Sequence, residues 1–216
     1  MGGSSTILRL HKLSRGDVWD AGQYKDKPVD IIEKLPGGGE RLRFRSVSPA
    51  KTPEFTRVLT SLWQDQSRDH DISPLIVMAA FNLDFLCIHP FRDGNGRVSR
   101  LLLLLTAYHL GMEVGRYISL ERIIEENKER YYETLQQSSQ GWHEGSTIPG
   151  LILATCCSSS RRPMRNSRSV LGRLPHRRGR RPNWSHGPSV NNTANFVWST
   201  LNRPVRVSAV TGSRPY

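Results

Sequence analysis

The chain has 216 residues, 37% of them hydrophobic, and a formal net charge of +12, which fits a soluble globular protein of one or two domains. The charge is unevenly spread, with 19 Lys and Arg against 19 Asp and Glu in residues 1–145 but 12 Arg, no Lys and no acid in residues 146–216, so basicity argues for nucleic-acid or anionic-surface binding only in the last third. No run approaches the roughly 18 to 20 apolar residues of a membrane span, and the three cysteines spell neither a disulfide framework nor a metal site, which excludes a membrane role and makes a reducing cytoplasm the expected location.

In chain order, Ile7 to Leu13 reads as the end of a short helix closed near Gly16. Between Gly22 and Val47, the segments Val29-Asp30-Ile31-Ile32 and Leu42-Arg43-Phe44-Arg45 are strand candidates about the loose loop Pro36-Gly37-Gly38-Gly39, together a hairpin. From pattern alone an ordinary connecting hairpin explains them. Thr52-Pro53-Glu54 starts a helix with Thr52 as N-cap and Pro53 at the first position. Phe55, Val58, Leu59 and Leu62 give it an apolar face, and it is expected to end near Trp63, followed by a polar loop from Gln64 to Asp71. Ser73-Pro74 opens a second helix whose Leu75, Ile76, Met78, Ala79, Phe81, Leu83, Phe85 and Leu86 leave little polar surface, as in a central helix. A third helix runs from Asn95 or Arg97 to Leu110 and stops at Gly111. A fourth, amphipathic helix spans Ser119 or Leu120 to Gln137 and is expected to turn Tyr131, Tyr132 and Leu135 to the core. Beyond Gly145 there is no sustained period and no acid or lysine, against a usual charged content of about 25%, and a disordered Arg-rich tail is expected over residues 146–216.

The polar stretch His89-Pro90-Phe91-Arg92-Asp93-Gly94-Asn95-Gly96-Arg97-Val98-Ser99-Arg100 lies between the two most apolar helices. Glycines flanking an Asn at a helix start, with cationic side chains beside them, suit an anion-binding turn. His89 is the neutral-pH base next to that turn, Asp93 a hard oxygen ligand suited to Mg²⁺, and Arg97 and Arg100 lie one helical turn apart. Each residue alone has a blander explanation: a helix-end imidazole, a turn former, turn glycines, solvated arginines. Their conjunction points to a nucleotide.

His89 to Arg100 matches every fixed position of the signature HPFx[D/E]GNGRxxR, and on these residues the chain resembles the Fic (Fic/Doc) family. The resemblance implies a mainly α chain, a helical bundle of Fic fold with a small β-hairpin flap over residues 1–145. It also implies transfer of AMP from ATP to a Ser, Thr or Tyr hydroxyl of a target protein. In that reading His89 takes the hydroxyl proton, Asp93 binds Mg²⁺, and Gly94, Asn95 and Gly96 form the nest around the phosphates. Arg97 and Arg100 hold the outer phosphates, and Phe91 is structural. Gly96 favours nucleotidyl transfer, since family relatives that phosphorylate carry Lys there. The segment Gly22 to Ile32, with Val29, Asp30, Ile31 and Ile32, resembles the flap that clamps the target as an added strand. Tyr131 and Tyr132 resemble a Tyr pair near the adenine, although core packing explains them equally well.

Many family members are restrained by a [S/T]xxxE[G/N] helix. Here Glu144-Gly145 comes nearest, but Gln140 stands where Ser or Thr is needed, so an inhibitory segment upstream of Met1 or a separate antitoxin is the expectation. Relatives also continue past a Trp-His-x-Gly stretch with His-Asp-Pro-Trp and an apolar helix. After Trp142-His143-Glu144-Gly145, residues Ile148, Pro149 and Gly150 force codon endings that, in a displaced frame, permit Asp, Pro and Trp. Residues 146–216 are therefore expected to be out-of-frame translation. The rival readings are a catalytically degraded fragment that holds nucleotide without turnover, and nonspecific nucleic-acid binding through the tail.

Overall fold

A computed structural model describes residues 3–35, 37–69, 72–112 and 119–145; the expectations of a disordered, out-of-frame tail fall outside them. Helix α1 (Ser4–Arg15) closes at Gly16, whose φ of 68° lets the chain turn away without a Cβ penalty. Its buried residues Ile7 and His11 are four apart and so share one face.

Strands β1 (Ile31–Lys34) and β2 (Glu40–Phe44) form an antiparallel hairpin that pairs Ile32 with Leu42 and Lys34 with Glu40. The first strand thus starts two residues later than the sequence pattern suggests. Register shifts between Ile31 and Ile32, and Asp30 Oδ1 accepts from the Ser46 N–H at 3.1 Å rather than joining the ladder. Val29 and Asp30 precede the strand, and the second strand begins at Glu40 and ends one residue before Arg45.

A turn of 3-10 helix at Pro49–Lys51 leads into α2 (Thr52–Gln66). Thr52 is not the N-cap expected of it but the first helical residue, its hydroxyl donating to the Ser48 carbonyl at 2.9 Å. The helix passes Trp63 because that indole is buried and nothing breaks the backbone before Ser67, whose N–H bonds the Trp63 carbonyl. Helix α3 (Pro74–Ile88) is buried from Ala79 to Ile88 without a break, and α4 (Asn95–His109) follows the polar loop. Gly111, with φ 76°, stops the chain where expected. Helix α3 packs against both α2 and α4, and α1 against α4. Asn82 of α3 locks the central pair by donating to the Ser99 carbonyl and hydroxyl, each at 3.0 Å.

The expected fourth helix is two: α5 (Leu120–Glu126) and α6 (Lys128–Ser139). They part at Asn127, whose backbone lies outside the helical basin at φ −124° and ψ 31°, a residue type that favours caps and turns over helix interiors. Tyr132 does not face the core but is 43% exposed, Tyr131 and Leu135 are half-buried, and the buried positions of α6 are Thr134, Ser138 and Ser139. A last 3-10 turn, Trp142–Glu144, sinks the Trp142 indole fully, its Nε1 donating to the buried Asp84 carboxylate of α3 at 2.7 Å. The core joins Ile7, Phe55, Leu59, Trp63, Phe81, Phe85, Phe91, Leu102 and Trp142. No helix of the described residues is long and apolar enough to cross a membrane.

Candidate active site

The loop from His89 to Gly94 is closed by its own residues. Asn95 turns its amide inward, accepting from the Phe91 N–H at 2.9 Å and donating to the Phe91 carbonyl at 2.8 Å. Gly94 precedes α4 with φ 83°, and its N–H goes to Asp93 Oδ1 at 2.6 Å. The Gly94 N–H and the Asn95 side chain are spent on the loop, and what faces outward is the start of α4, where N–H groups lack a carbonyl one turn earlier.

His89 caps α3 in the left-handed region (φ 52°, ψ 61°), the one non-glycine with positive φ among the described residues. That backbone costs about 1–2 kcal/mol, and its surroundings must hold it. Its Nδ1 lies 3.3 Å from the Leu86 carbonyl. A carbonyl only accepts, so Nδ1 carries the proton and Nε2 keeps its lone pair. Burial lowers the imidazole pKa to about 4; the bond to Leu86 opposes this and the Lys25 charge adds to it.

Helix α1 supplies residues that no motif marks. His11, fully buried, stacks on Phe91 with ring centroids 3.7 Å apart and 4° between planes. Its Nδ1 accepts from the Gly22 N–H at 3.0 Å, and its Nε2 donates to the Asp93 carbonyl at 3.0 Å. Desolvation lowers its pKa, in keeping with a ring that must be neutral to serve both partners. Arg15 pairs with Asp93 Oδ2 and with Asp20 Oδ1, and Arg97 reaches the same Oδ2 at 3.4 Å. Arg92 pairs with Asp26 at 2.8 Å while its guanidinium lies 5.0 Å from the Trp19 ring centroid. Arg100 gives Nη2 and Nε to Glu121 of α5 at 2.9 and 3.1 Å.

Two cavities meet here. One, of about 290 Å³, is bounded by His89, Arg92, Asp93, Gly94, Asn95, Gly96, Arg97 and Arg100. The other, of about 340 Å³, runs between the hairpin and α6, past Asp30, Ile31, Phe44, Leu86, Tyr132 and Leu135, and also reaches His89 and Gly96. Of the flap residues expected at the site, Asp30 and Ile31 line this second cavity, Ile32 is 53% exposed, and Val29 is not among the lining residues. Tyr132 lines it while Tyr131 packs edge-on against Tyr132 at 5.4 Å.

Residues 3–107, from the start of α1 to two residues short of the end of α4, match the Fic/DOC family. Over those residues the chain carries a Fic/DOC domain. A Fic-domain-containing signaling protein from Bacteroides thetaiotaomicron VPI-5482 shares the fold with a TM-score of 0.56 and 26% identity, over 74% of this chain and 58% of that one. A Fic family protein from Desulfovibrio desulfuricans G20 gives a TM-score of 0.59 at 22% identity, over 80% of this chain and 49% of that one, a likeness of fold alone. In sequence, this chain is 30% identical to protein adenylyltransferase fic-1 of Caenorhabditis elegans over 107 residues, 49% of this chain and 19% of that protein. It is 25% identical to protein adenylyltransferase Fic of Nematostella vectensis over 144 residues, 62% of this chain and 28% of that one. It is also 28% identical to protein adenylyltransferase VbhT of Bartonella schoenbuchensis over 119 residues, 54% of this chain and 22% of that protein. The chain thus spans 19% to 28% of the length of these curated relatives.

Proposed function

We propose that this chain is a protein adenylyltransferase that moves AMP from ATP to a Ser, Thr or Tyr hydroxyl of a target protein and releases pyrophosphate. The observation that carries this reading is the meeting of two cavities of opposite chemistry at His89 and Gly96. A triphosphate suits the arginine-lined cavity and a purine the apolar one. A nucleotide laid across both brings its α-phosphate beside the imidazole. The target hydroxyl then attacks the α-phosphorus, His89 Nε2 takes its proton, the bond from α-phosphorus to the bridging oxygen breaks, and pyrophosphate leaves. Arg97 and Arg100 offset the charge gathering on the phosphate oxygens. Gly96 lines both cavities, and a Cβ there would stand 3.5 Å from Arg100 Nη1, so a longer side chain would enter the passage.

Asp93 is the carboxylate that would hold Mg²⁺, its Oδ1 staying with the Gly94 N–H and its Oδ2 leaving Arg15 and Arg97 for the ion. Among the described residues no group of three His, Cys, Asp or Glu could hold a metal, so the ion would draw its other ligands from the phosphates and water, as Mg²⁺ does. Bound there, it would neutralise phosphate charge. The hairpin supports strand addition of the target: among the described residues β1 pairs with β2 alone, leaving its other edge for a peptide.

The test is incubation with Mg²⁺ and ATP labelled at the α- or the γ-phosphate, for the wild-type chain and His89→Ala. Label on protein from the α position alone, lost in His89→Ala, is expected. Label from the γ position contradicts nucleotidyl transfer, and nucleotide bound with no label on protein identifies a degraded binder. Nucleic-acid retention that vanishes on deleting residues 146–216 identifies a property of the tail alone.

A further inference from the structure

Lys25 lies between α1 and β1, outside the signature loop, and is 3% exposed. Its ammonium donates to the Ile88 carbonyl at 3.1 Å and to the Ser46 hydroxyl at 2.7 Å. Its backbone N–H donates to the Pro90 carbonyl at 2.9 Å. Ile88 and Pro90 flank His89, so one residue grips the peptide on each side of the imidazole whose backbone is left-handed. A conformation of that kind persists where its surroundings over-determine it.

The contacts continue toward the hairpin. Ser46 follows β2 and donates its N–H to Asp30, just before β1, and Asp30 and Ile31 line the same cavity as His89. We propose that Lys25 is a positioning residue for the reaction, pinning the backbone about His89 and tying it through Ser46 and Asp30 to the base of the hairpin. The reaction rests on the adenylyltransferase reading; the hold on His89 does not.

Packing alone does not account for a buried ammonium at this place. The Ser46 hydroxyl and the Ile88 carbonyl that it bonds are neutral oxygens, and burial lowers its pKa to about 8 against the opposing charge of Asp30, so it is charged at neutral pH and disfavours a proton on His89. The other groups facing His89 across the two cavities are Asp30 before the hairpin, Arg43 on β2, Arg92, Asp93, Arg97 and Arg100 in the loop and α4, Tyr132 on α6, and Cys87 on its own helix. Lys25 is the cation hydrogen-bonded to the peptide beside the imidazole.

The experiment is an NMR pH titration of the full-length chain carrying isotope-labelled histidine, without nucleotide, with His89 assigned by the signal missing in His89→Gln. Lys25→Gln, which keeps a donor and loses the charge, is expected to raise the His89 midpoint by about one pH unit, while Lys25→Arg leaves it in place. An unchanged midpoint in Lys25→Gln, or an equal shift in both variants, overturns the proposal. If Lys25→Gln does not fold, Ser46→Ala reads the same network with the ammonium kept. Exchange of the His89 amide, bonded to the Phe85 carbonyl, is expected to become about tenfold faster while Leu59 in α2 is unchanged; equal protection at His89 overturns the proposal. A wild-type chain that takes no AMP from ATP would contradict the proposed function, and the titration would still decide the role of Lys25.

Discussion

At His89 the backbone, the tautomer and the pKa all serve one state, a neutral imidazole with its Nε2 lone pair free. With a pKa lowered to about 4, the base form dominates at every pH above that value. The acid limb of kcat/KM for AMP transfer is therefore expected to fall with a midpoint near 4, and a midpoint near the ordinary 6.5 contradicts this. Gly94 and Gly96 differ in what they require. A Cβ at Gly94 would meet φ 83°, Arg15 Cδ at 3.4 Å and the His11 ring at 3.5 Å, whereas Gly96 has no positive φ. Gly94→Ala is expected to lose about 1–2 kcal/mol of stability in urea unfolding, and Gly96→Ala to unfold like wild type. His89 to Arg100 was legible in the sequence because its residues are contiguous and each local choice serves one loop. His11, Arg15 and Lys25 were not. They reach the loop from 63 to 82 positions away, and a His four residues from Ile7 on one helix face looks like any core position.

Among the elements, α2, α3 and α4 were readable from Pro at the helix start, apolar periodicity and Gly111. The hairpin was readable as a hairpin but not in register, because its first strand is set by a bulge and by the bond from Ser46 to Asp30. The break at Asn127 was hidden inside an unbroken amphipathic pattern. That break and the start of α5 matter to the site, since Glu121 occupies Arg100. The pair is largely exposed on the acid side, with side-chain exposures of 26% for Arg100 and 69% for Glu121, and such pairs contribute about 0–1 kcal/mol. Glu121→Gln is thus expected to tighten ATP binding by up to about fivefold at low salt, measured by calorimetry, with the gain shrinking as salt rises. Weaker binding in the variant would show that Glu121 serves the nucleotide instead of competing with it.

For the whole molecule, the Trp142–Asp84 bond draws the last described turn into the core, and His143 holds the Arg45 carbonyl beside the hairpin at 2.8 Å. Acid works against this assembly. The folded pKa values of His89 and His11 lie below their ordinary value, so the unfolded chain takes the protons first. Stability is intact above about pH 6.5 and is lost as pH falls toward 4, by up to about 3 kcal/mol for His89. Urea unfolding between pH 7 and 4.5 should show that decline, and His89→Ala should show a shallower one. We propose that residues 146–216 add nothing to the site. A chain ending at Gly145 is expected to bind ATP as the full chain does, and the coding DNA decides whether the tail is read out of frame. If the two cavities joined at His89 hold one nucleotide for attack at its α-phosphate, the products formed from ATP and Mg²⁺ show it. Protein-bound AMP with one pyrophosphate released per transfer is expected in the wild-type chain and neither in His89→Ala; phosphate transferred from the γ position, or transfer surviving in His89→Ala, would rule this out.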